Sequence, residues 1–380
     1  GDKSISIRAL LLGSQAYGKT FIKNILLSED ITNSINCLKK LGIKIFLKKK
    51  NCYIYGKGLN GFEYKKNIIL NAGNSGTFAR LILGLLVKSP YYIKLTGDKS
   101  LSQRDFERVI SPLQKVGVNF KVNNKKTLPL KIIGSSFVNP IHYFENRGSA
   151  QCKSTVMLAA LSSPGQTVIR AKKSRDHTEN IFKYLGIPII VKRYKHNDEI
   201  KVKGQKSFKS FKYKVPSDPS SCAFFIVLTL LSKNCELRIK DVNVNKSRIG
   251  YIKILNKMGA KIKIKNTKKR YGEKQADIFV KSQSTLKKIN CPPNLNSNLI
   301  DEFLIIFLAA AKANGVSSFS NLGELNKKES PRLKLGSKLL NQLGIKTKLT
   351  KNSIKIFGNP GINLRKTLDK KYYKDHRIFM

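Results

Sequence analysis

One phrase recurs along the chain and restricts its fold more than any other feature: a helical tail ending in Leu, Val or Met, then a glycine, then a β-prone run. It reads CLKKLGIKI, PLQKVGVNF, IFKYLGIPII, ILNKMGAKI and LLNQLGIKT, with its glycine at positions 42, 117, 186, 259 and 344, a step of roughly 75 residues. A glycine just past a helix suits the left-handed C′ position, and the alternation of lysine with isoleucine or valine that follows suits a strand with one buried face. Each copy therefore predicts helix, cap, strand.

A second phrase recurs at a similar step, with polar residues opening a strongly apolar helix. Its copies are KSISIRALLLGS from Lys3, NSGTFARLILGLL from Asn74, SAQCKSTVMLAAL from Ser149, DPSSCAFFIVLTLL from Asp218, LIDEFLIIFLAAA from Leu299 and DHRIFM from Asp375. Helices apolar nearly all round are expected to be central and covered by other elements. Their openings are rich in Ser, Asp, Asn and Gly, residues that cap helix N-termini, where free N–H groups and partial positive charge collect. Taken singly, each opening reads as an ordinary cap. Taken together, six capped N-termini make an anion site if they converge. The openings also hold Lys3, Arg8, Gln151, Asp301 and Arg377, and charges flanking buried helices need a partner that an anionic ligand supplies. Only fourteen of the 73 basic residues are arginine, yet Arg8, Arg80, Arg104, Arg175, Arg332 and Arg377 all lie within or beside these phrases. Bidentate binding of phosphate or carboxylate is what lysine cannot imitate. Three openings precede residue 216 and three follow it, with the linker-like VPSDPSS at the junction, so two domains of matching design with the ligand between them are expected.

A chain of 380 residues with 41% apolar content can bury two ordinary cores. Its longest apolar stretches, such as Phe303 to Ala311, are far shorter than the ~20 residues of a membrane span. Neither a span nor a signal peptide is expected. Six cysteines stand apart without CxxC pairs or histidine neighbours at ligand spacing, which reads as buried packing thiols in a reducing compartment, with no structural metal. The net charge of +50 invites a nucleic-acid partner, but the lysines are spread through every segment and no zinc-finger, helix-turn-helix or aromatic RNA-binding pattern accompanies them. A general lysine bias on solvated faces is the reading adopted.

In order along the whole chain, GDKSISIRALLLG, GNSGTFARL, GDKSLSQRDFERVISPLQKVG, SAQCKSTVMLAAL, SRDHTEN, VPSDPSSCAFF, IDEFLIIFLAAA, KKESPRL and DHRIFM resemble the motifs of the 5-enolpyruvylshikimate-3-phosphate synthase family, in its bacterial form. The resemblance implies an α/β, two-domain enolpyruvyl transferase fold, each domain built from three βαβαββ units with the sixth incomplete. Residues 1–4 are expected to form the hinge and start of the first domain, 5–216 the first domain and 217–380 the second. Because residue 1 is a glycine that opens a motif, and the sixth Leu-Gly phrase is not reached by Met380, the chain is expected to be clipped at both ends, with the first strand of one domain lost before Gly1.

The implied activity is transfer of the enolpyruvyl group of phosphoenolpyruvate to the 5-hydroxyl of shikimate 3-phosphate, with phosphate released and no metal or cofactor, on the way to chorismate and the aromatic amino acids. Carried over by motif, Lys3, Ser4, Arg8, Ser149, Ala150 through its backbone, Gln151, Ser174, Arg175, Asp301 and Lys328 are expected to hold shikimate 3-phosphate. Lys3, Gly76, Arg104, Gln151, Arg332 and Arg377 are expected to hold phosphoenolpyruvate. Asp301 is expected to act as base, relayed with Lys3, and Glu329 as the acid that protonates carbon. Ser174 reads equally as a helix cap, and Arg80 as a structural brace of the glycine segment. The pattern departs from the family at Ile7, where a histidine is usual, and at Pro331, which stands just before Arg332. A cytoplasmic monomer that binds neither nucleic acid nor membrane is implied, with a plastid left open by the missing start, and glyphosate is expected to compete for the phosphoenolpyruvate site. The rivals are the sister transferase acting on UDP-N-acetylglucosamine, which needs a loop cysteine absent between Cys52 and Cys152, and a basic nucleic-acid-binding protein.

Overall fold

In the computed structural model, residues 1–283, 285–327 and 330–362 are described. They divide into two compact units: unit 1 is Gly1–Asp218 together with Lys269–Lys274, and unit 2 runs from Pro219 to Lys268 and on from Gln275.

Unit 1 runs α1 (Lys3–Gln15), β1 (Tyr17–Lys23), α2 (Glu29–Lys40), β2 (Lys44–Lys48) and β3 (Asn51–Lys57) in its first stretch. The second is β4 (Ile69–Asn71), α3 (Gly76–Leu85), β5 (Ile93–Thr96), α4 (Glu107–Lys115), β6 (Asn119–Val122) and β7 (Leu130–Ile133). The third is β8 (His142–Glu145), α5 (Ala150–Ala160), β9 (Gln166–Lys172), α6 (His177–Tyr184), β10 (Ile189–Arg193) and β11 (Asn197–Lys203), followed by β12 (Lys212–Lys214). The plan recurs with α7 (Pro219–Leu231), β13 (Glu236–Asn243), α8 (Gly250–Lys257), β14 (Lys263–Arg270) and β15 (Glu273–Lys281), all of unit 2 except the adjoining ends of β14 and β15, which fall within Lys269–Lys274 of unit 1. It continues with β16 (Leu286–Lys287), α9 (Phe303–Ala311), β17 (Ala313–Phe319), α10 (Arg332–Gln342), β18 (Thr347–Leu349) and β19 (Ile354–Gly358). The expected start of a sixth unit, at Asp375, lies outside the described residues.

The same small sheet recurs. The orders β12-β1-β3-β2, β4-β5-β7-β6, β8-β9-β11-β10 and β16-β17-β19-β18 share one pattern, with the first strand parallel to the second and the remaining neighbours antiparallel. In the first sheet the opening place is taken by β12, which pairs with β1 from the far end of unit 1. Among the described residues the sheet β13-β15-β14 has three strands.

The Leu-Gly phrases are the hinges of this repetition. Gly42, Gly117, Gly186, Gly259 and Gly344 follow α2, α4, α6, α8 and α10, and all five have positive φ, from +68° to +103°. At each, the glycine N–H reaches back to the carbonyl of Lys39, Gln114, Lys183, Asn256 or Asn341, and the next residue's N–H reaches Leu38, Leu113, Phe182, Leu255 or Leu340. This double bond pattern is the Schellman cap, and its apolar contact is supplied by Ile43, Val118, Ile187, Ala260 and Ile345, all buried. The lysine–isoleucine alternation then continues into β2, β6, β10, β14 and β18.

The apolar helices mostly behave as expected. α1 is capped by Asp2, whose carboxylate accepts from Ile5 N–H at 2.9 Å, and is buried from Ile5 to Gln15; α3, α5 and α9 are buried along nearly all their length. α7 departs from the expectation. Cys222, Ala223, Ile226, Val227 and Leu230 join the unit 2 core, while Phe224, Phe225 and Leu228 on the opposite face are 56%, 59% and 64% exposed. Among the described residues α7 packs against β13 and α9, and its second apolar face stays exposed. Each unit has its own apolar core.

Candidate active site

In unit 1 the site residues gather where α1, α3, α5 and α6 begin. Ser75 and Ser149 cap α3 and α5, accepting from Phe78 N–H and Cys152 N–H at 3.3 Å each. Glu145, buried on β8, accepts from the Ser149 and Arg147 N–H groups and so fixes the turn into α5. The two helices lie close because Gly84 has no side chain: a β-carbon there would stand 2.3 Å from the Thr155 carbonyl oxygen. Gln151, in the first turn of α5, donates from Nε2 to Thr77 Oγ1 of α3 at 2.9 Å and accepts at Oε1 from Arg80 Nη1 at 2.7 Å.

Arg80 also donates to the Asp105 carbonyl and lies 5.0 Å over the Phe106 ring. Burial, with Arg108 close by, pulls its guanidinium down from the ordinary value to about 10. The sequence suggests a brace of the glycine segment; the hydrogen bonds of Arg80 run instead to Gln151 and the Asp105 carbonyl. Arg104 is held by Asn74 Oδ1 at 2.7 Å, and Asn74 in turn donates to Asp98 at 2.5 Å. A β-carbon on Gly76 would meet Arg104 Nη1 at 2.7 Å and Arg80 Nη1 at 3.2 Å, so the glycine gives two guanidinium groups room at the start of α3. Asn74 and Thr77 were not singled out as site residues, although both stand in NSGT; their polar pairing is a fact of the folded arrangement.

On α1, Lys3 is half exposed and pairs with Asp30 of α2 at 3.1 Å; nothing in the sequence marked Asp30. Ser4 is partly buried and lends its carbonyl to Arg8 Nη1 at 2.9 Å. Arg8 itself is 4% exposed, with Nε on Thr178 Oγ1 at 2.8 Å and Nη2 on Ser154 Oγ at 3.2 Å. Ser174 and Arg175 precede α6 and are partly buried. Asp176, not Ser174, is the residue flanking that helix, and Ser174 Oγ is shielded from solvent without a hydrogen bond among the described residues. Ala150 is the first residue of α5.

In unit 2, Asp301 lies just before α9 and accepts from Arg332 Nη1 at 3.1 Å. Arg332 is the first residue of α10, so Pro331 occupies the flanking position, where its missing N–H disturbs no helical bond. Next to Asp301, buried Glu302 accepts from Ser220 Oγ at 2.5 Å, and Arg248 Nη2 donates to the same hydroxyl at 3.0 Å. Lys328, Glu329 and Arg377 lie outside the described residues. Among the described residues no group of three or more His, Cys, Asp or Glu side chains is placed to hold a metal ion.

Chemically, unit 1 offers three capped helix N-termini, arginines held by neutral acceptors and, among the described residues, a shielded hydroxyl without a hydrogen bond; unit 2 offers a carboxylate bonded to an arginine. That set suits oxyanion binding and proton transfer.

A family model described as EPSP synthase (3-phosphoshikimate 1-carboxyvinyltransferase) matches residues 1–380. A protein named 3-phosphoshikimate 1-carboxyvinyltransferase from Ruthia magnifica is 41% identical over 385 residues, spanning 100% of this chain and 86% of its relative. Its namesake from Petrotoga mobilis is 40% identical over 384 residues, spanning 100% of this chain and 87% of the other. The structure of EPSP synthase from Acinetobacter baumannii superposes with a TM-score of 0.83 at 34% identity, covering 94% of this chain and 80% of that one. The enolpyruvyl transferase NikO from Streptomyces tendae shares the fold, with a TM-score of 0.73 at 13% identity over the same 94% and 80%.

Proposed function

The chain belongs to the EPSP synthase (3-phosphoshikimate 1-carboxyvinyltransferase) family, and from that membership we propose how its own residues divide the work. The reaction transfers the enolpyruvyl group of phosphoenolpyruvate to the 5-hydroxyl of shikimate 3-phosphate and releases phosphate, as a step of the shikimate pathway. One proton must be added to the methylene carbon of phosphoenolpyruvate and one removed from the hydroxyl. The tetrahedral intermediate so formed then loses a proton from its new methyl group and expels phosphate, which restores the enol double bond.

In the proposed assignment, Arg104, Gln151 and the open backbone at Gly76 receive phosphoenolpyruvate, together with Lys3, Arg332 and Arg377. Lys3, Ser4, Arg8, Ser149, Ala150, Gln151, Ser174, Arg175, Asp301 and Lys328 receive shikimate 3-phosphate. Asp301 takes the hydroxyl proton, relayed with Lys3, and Glu329 protonates carbon. The observation that carries this reading is the chain Thr77–Gln151–Arg80 beside Arg104–Asn74, which ties the N-termini of α3 and α5 into one cationic, donor-rich edge. Gln151 Oε1, the Asp105 carbonyl and Asn74 Oδ1 orient the two guanidinium groups, and a substrate with phosphate and carboxylate groups suits such a planar donor set. The Ser174 hydroxyl, without a hydrogen bond among the described residues, supports a ligand role over a cap.

We further propose a cytoplasmic monomer without nucleic-acid or membrane partners. Six free cysteines favour a reducing compartment, and the dispersed lysines favour solvated faces. Phosphate release that requires both substrates together tests the assignment of activity; release from phosphoenolpyruvate alone, at the same rate, would overturn it. Size-exclusion chromatography at physiological salt tests the monomer.

A further inference from the structure

The phrase SRDHTEN leaves the residues from Asp176 to Asn180 without a task in the assignment above, yet each has a polar partner in unit 1. Asp176 accepts from Arg193 at 2.6 Å, and His177 Nδ1 lies 2.7 Å from Glu273 Oε1. Asn180 donates to both Asp176 and Glu273 at 3.3 Å. Thr178 accepts from Arg8 Nε at 2.8 Å, and Glu179 pairs with Lys153 at 2.6 Å, both members of that pair being almost wholly buried. The first turn of α6 is thus a polar hub joined to α1 and α5.

Its centre is a closed triangle. Arg8 Nε and Nη2 donate to Thr178 Oγ1 and Ser154 Oγ, and those two hydroxyls are 2.7 Å apart, so one donates to the other. A hydroxyl has one proton and two acceptor sites, so accepting from Arg8 is compatible with the mutual bond. Two fixed acceptors on adjacent nitrogens determine the plane of a guanidinium. Lys153 and Glu179 are the sequence neighbours of Ser154 and Thr178, so their ion pair ties α5 to α6 at the level of the triangle. Removing one partner would strand a buried charge, so the tie is costly to break.

We propose that Thr178 is a positioning residue for shikimate 3-phosphate: with Ser154 it sets the plane of the Arg8 guanidinium, and the Lys153–Glu179 pair keeps the two hydroxyls in register. The proposal rests on the reading of Arg8 as a ligand of that substrate.

The test compares Thr178→Val, Thr178→Ser, Ser154→Ala and Arg8→Lys, singly and with Thr178→Val combined with Arg8→Lys, by calorimetric shikimate 3-phosphate binding, steady-state kinetics and thermal melts. Thr178→Val is expected to weaken shikimate 3-phosphate binding about tenfold while the phosphoenolpyruvate KM moves less than about twofold. Thr178→Ser restores binding, and Ser154→Ala shifts it in the same direction as Thr178→Val, serving in its place should valine prevent folding. In the double variant the loss is no larger than in Arg8→Lys alone, because both changes act on one contact. Weakened binding in Arg8→Lys with parental binding in folded Thr178→Val and Ser154→Ala would overturn the positioning role and leave the ligand reading intact. Parental binding in Arg8→Lys would overturn the ligand reading and the positioning role with it. Equal losses for both substrates would show a structural role only.

Discussion

Replacing Gly76 by alanine is the sharpest probe of the phosphoenolpyruvate assignment, because its consequence can be worked from distances. The new β-carbon would stand 2.7 Å from Arg104 Nη1. An ordinary contact needs about 3.5 Å, so the guanidinium must withdraw by about 0.8 Å. The start of α3 has little freedom to move instead, since Gly76 N–H is bonded to Asn74 O and Ser75 caps Phe78. Arg104 is the far end of a flexible side chain, so the fold survives, but its 2.7 Å bond to Asn74 is strained or lost. Misplacing a positioning group by about 1 Å can cost about 10²-fold, and a smaller shift of one among several anion contacts should raise the phosphoenolpyruvate KM about ten- to thirtyfold. The shikimate 3-phosphate KM should change less than about threefold, as expected when the lost contact belongs to the other substrate. Inhibition by glyphosate, expected to compete for the same place, should weaken in parallel. Continuous phosphate-release assays with each substrate varied would measure all three. A phosphoenolpyruvate KM within about twofold of the parent would refute the reasoning, because no plausible rearrangement keeps Arg104 where it is.

Three further outcomes are expected. Asp301→Asn and Glu329→Gln should each lower kcat by about 10² or more with shikimate 3-phosphate binding still measurable, and near-normal turnover would remove them from proton transfer. Gly186→Ala meets no atom within 4 Å but must hold φ near +68°, at a cost of about 1–2 kcal/mol, whereas at Gly42 the β-carbon also lies 2.3 Å from the Glu63 carbonyl oxygen. Gly42→Ala should therefore melt well below Gly186→Ala, and equal melting temperatures would count against the cap argument. Near pH 8 a disulfide reagent should react quickly with one thiol, Cys235, since the other five are buried and burial pushes Cys37 and Cys52 up to about 12 and Cys291 up to about 11. Two or more fast thiols in the folded protein would contradict that burial.

By itself the sequence determined what depends on neighbours in the chain. The five glycine caps, the strands that follow them and the polar openings of α1, α3 and α5 were all readable, because a Schellman cap or a serine N-cap is closed by residues within one turn of each other. Arginine against a lysine background marked the proposed anion-binding groups for a similar reason, since bidentate binding is a property of the side chain itself. The tertiary structure decided the partners. Arg8 meets Thr178 across 170 residues and Arg80 meets Gln151 across 71, so no local pattern could show that Arg8 is held by hydroxyls or that Arg80 reaches the first turn of α5. It also decided that β12 completes the first sheet, and that α7, apolar all round in sequence, covers only one of its faces. Composition tells a helix how much apolar surface it has, but which flank is covered depends on the elements that arrive from elsewhere in the chain.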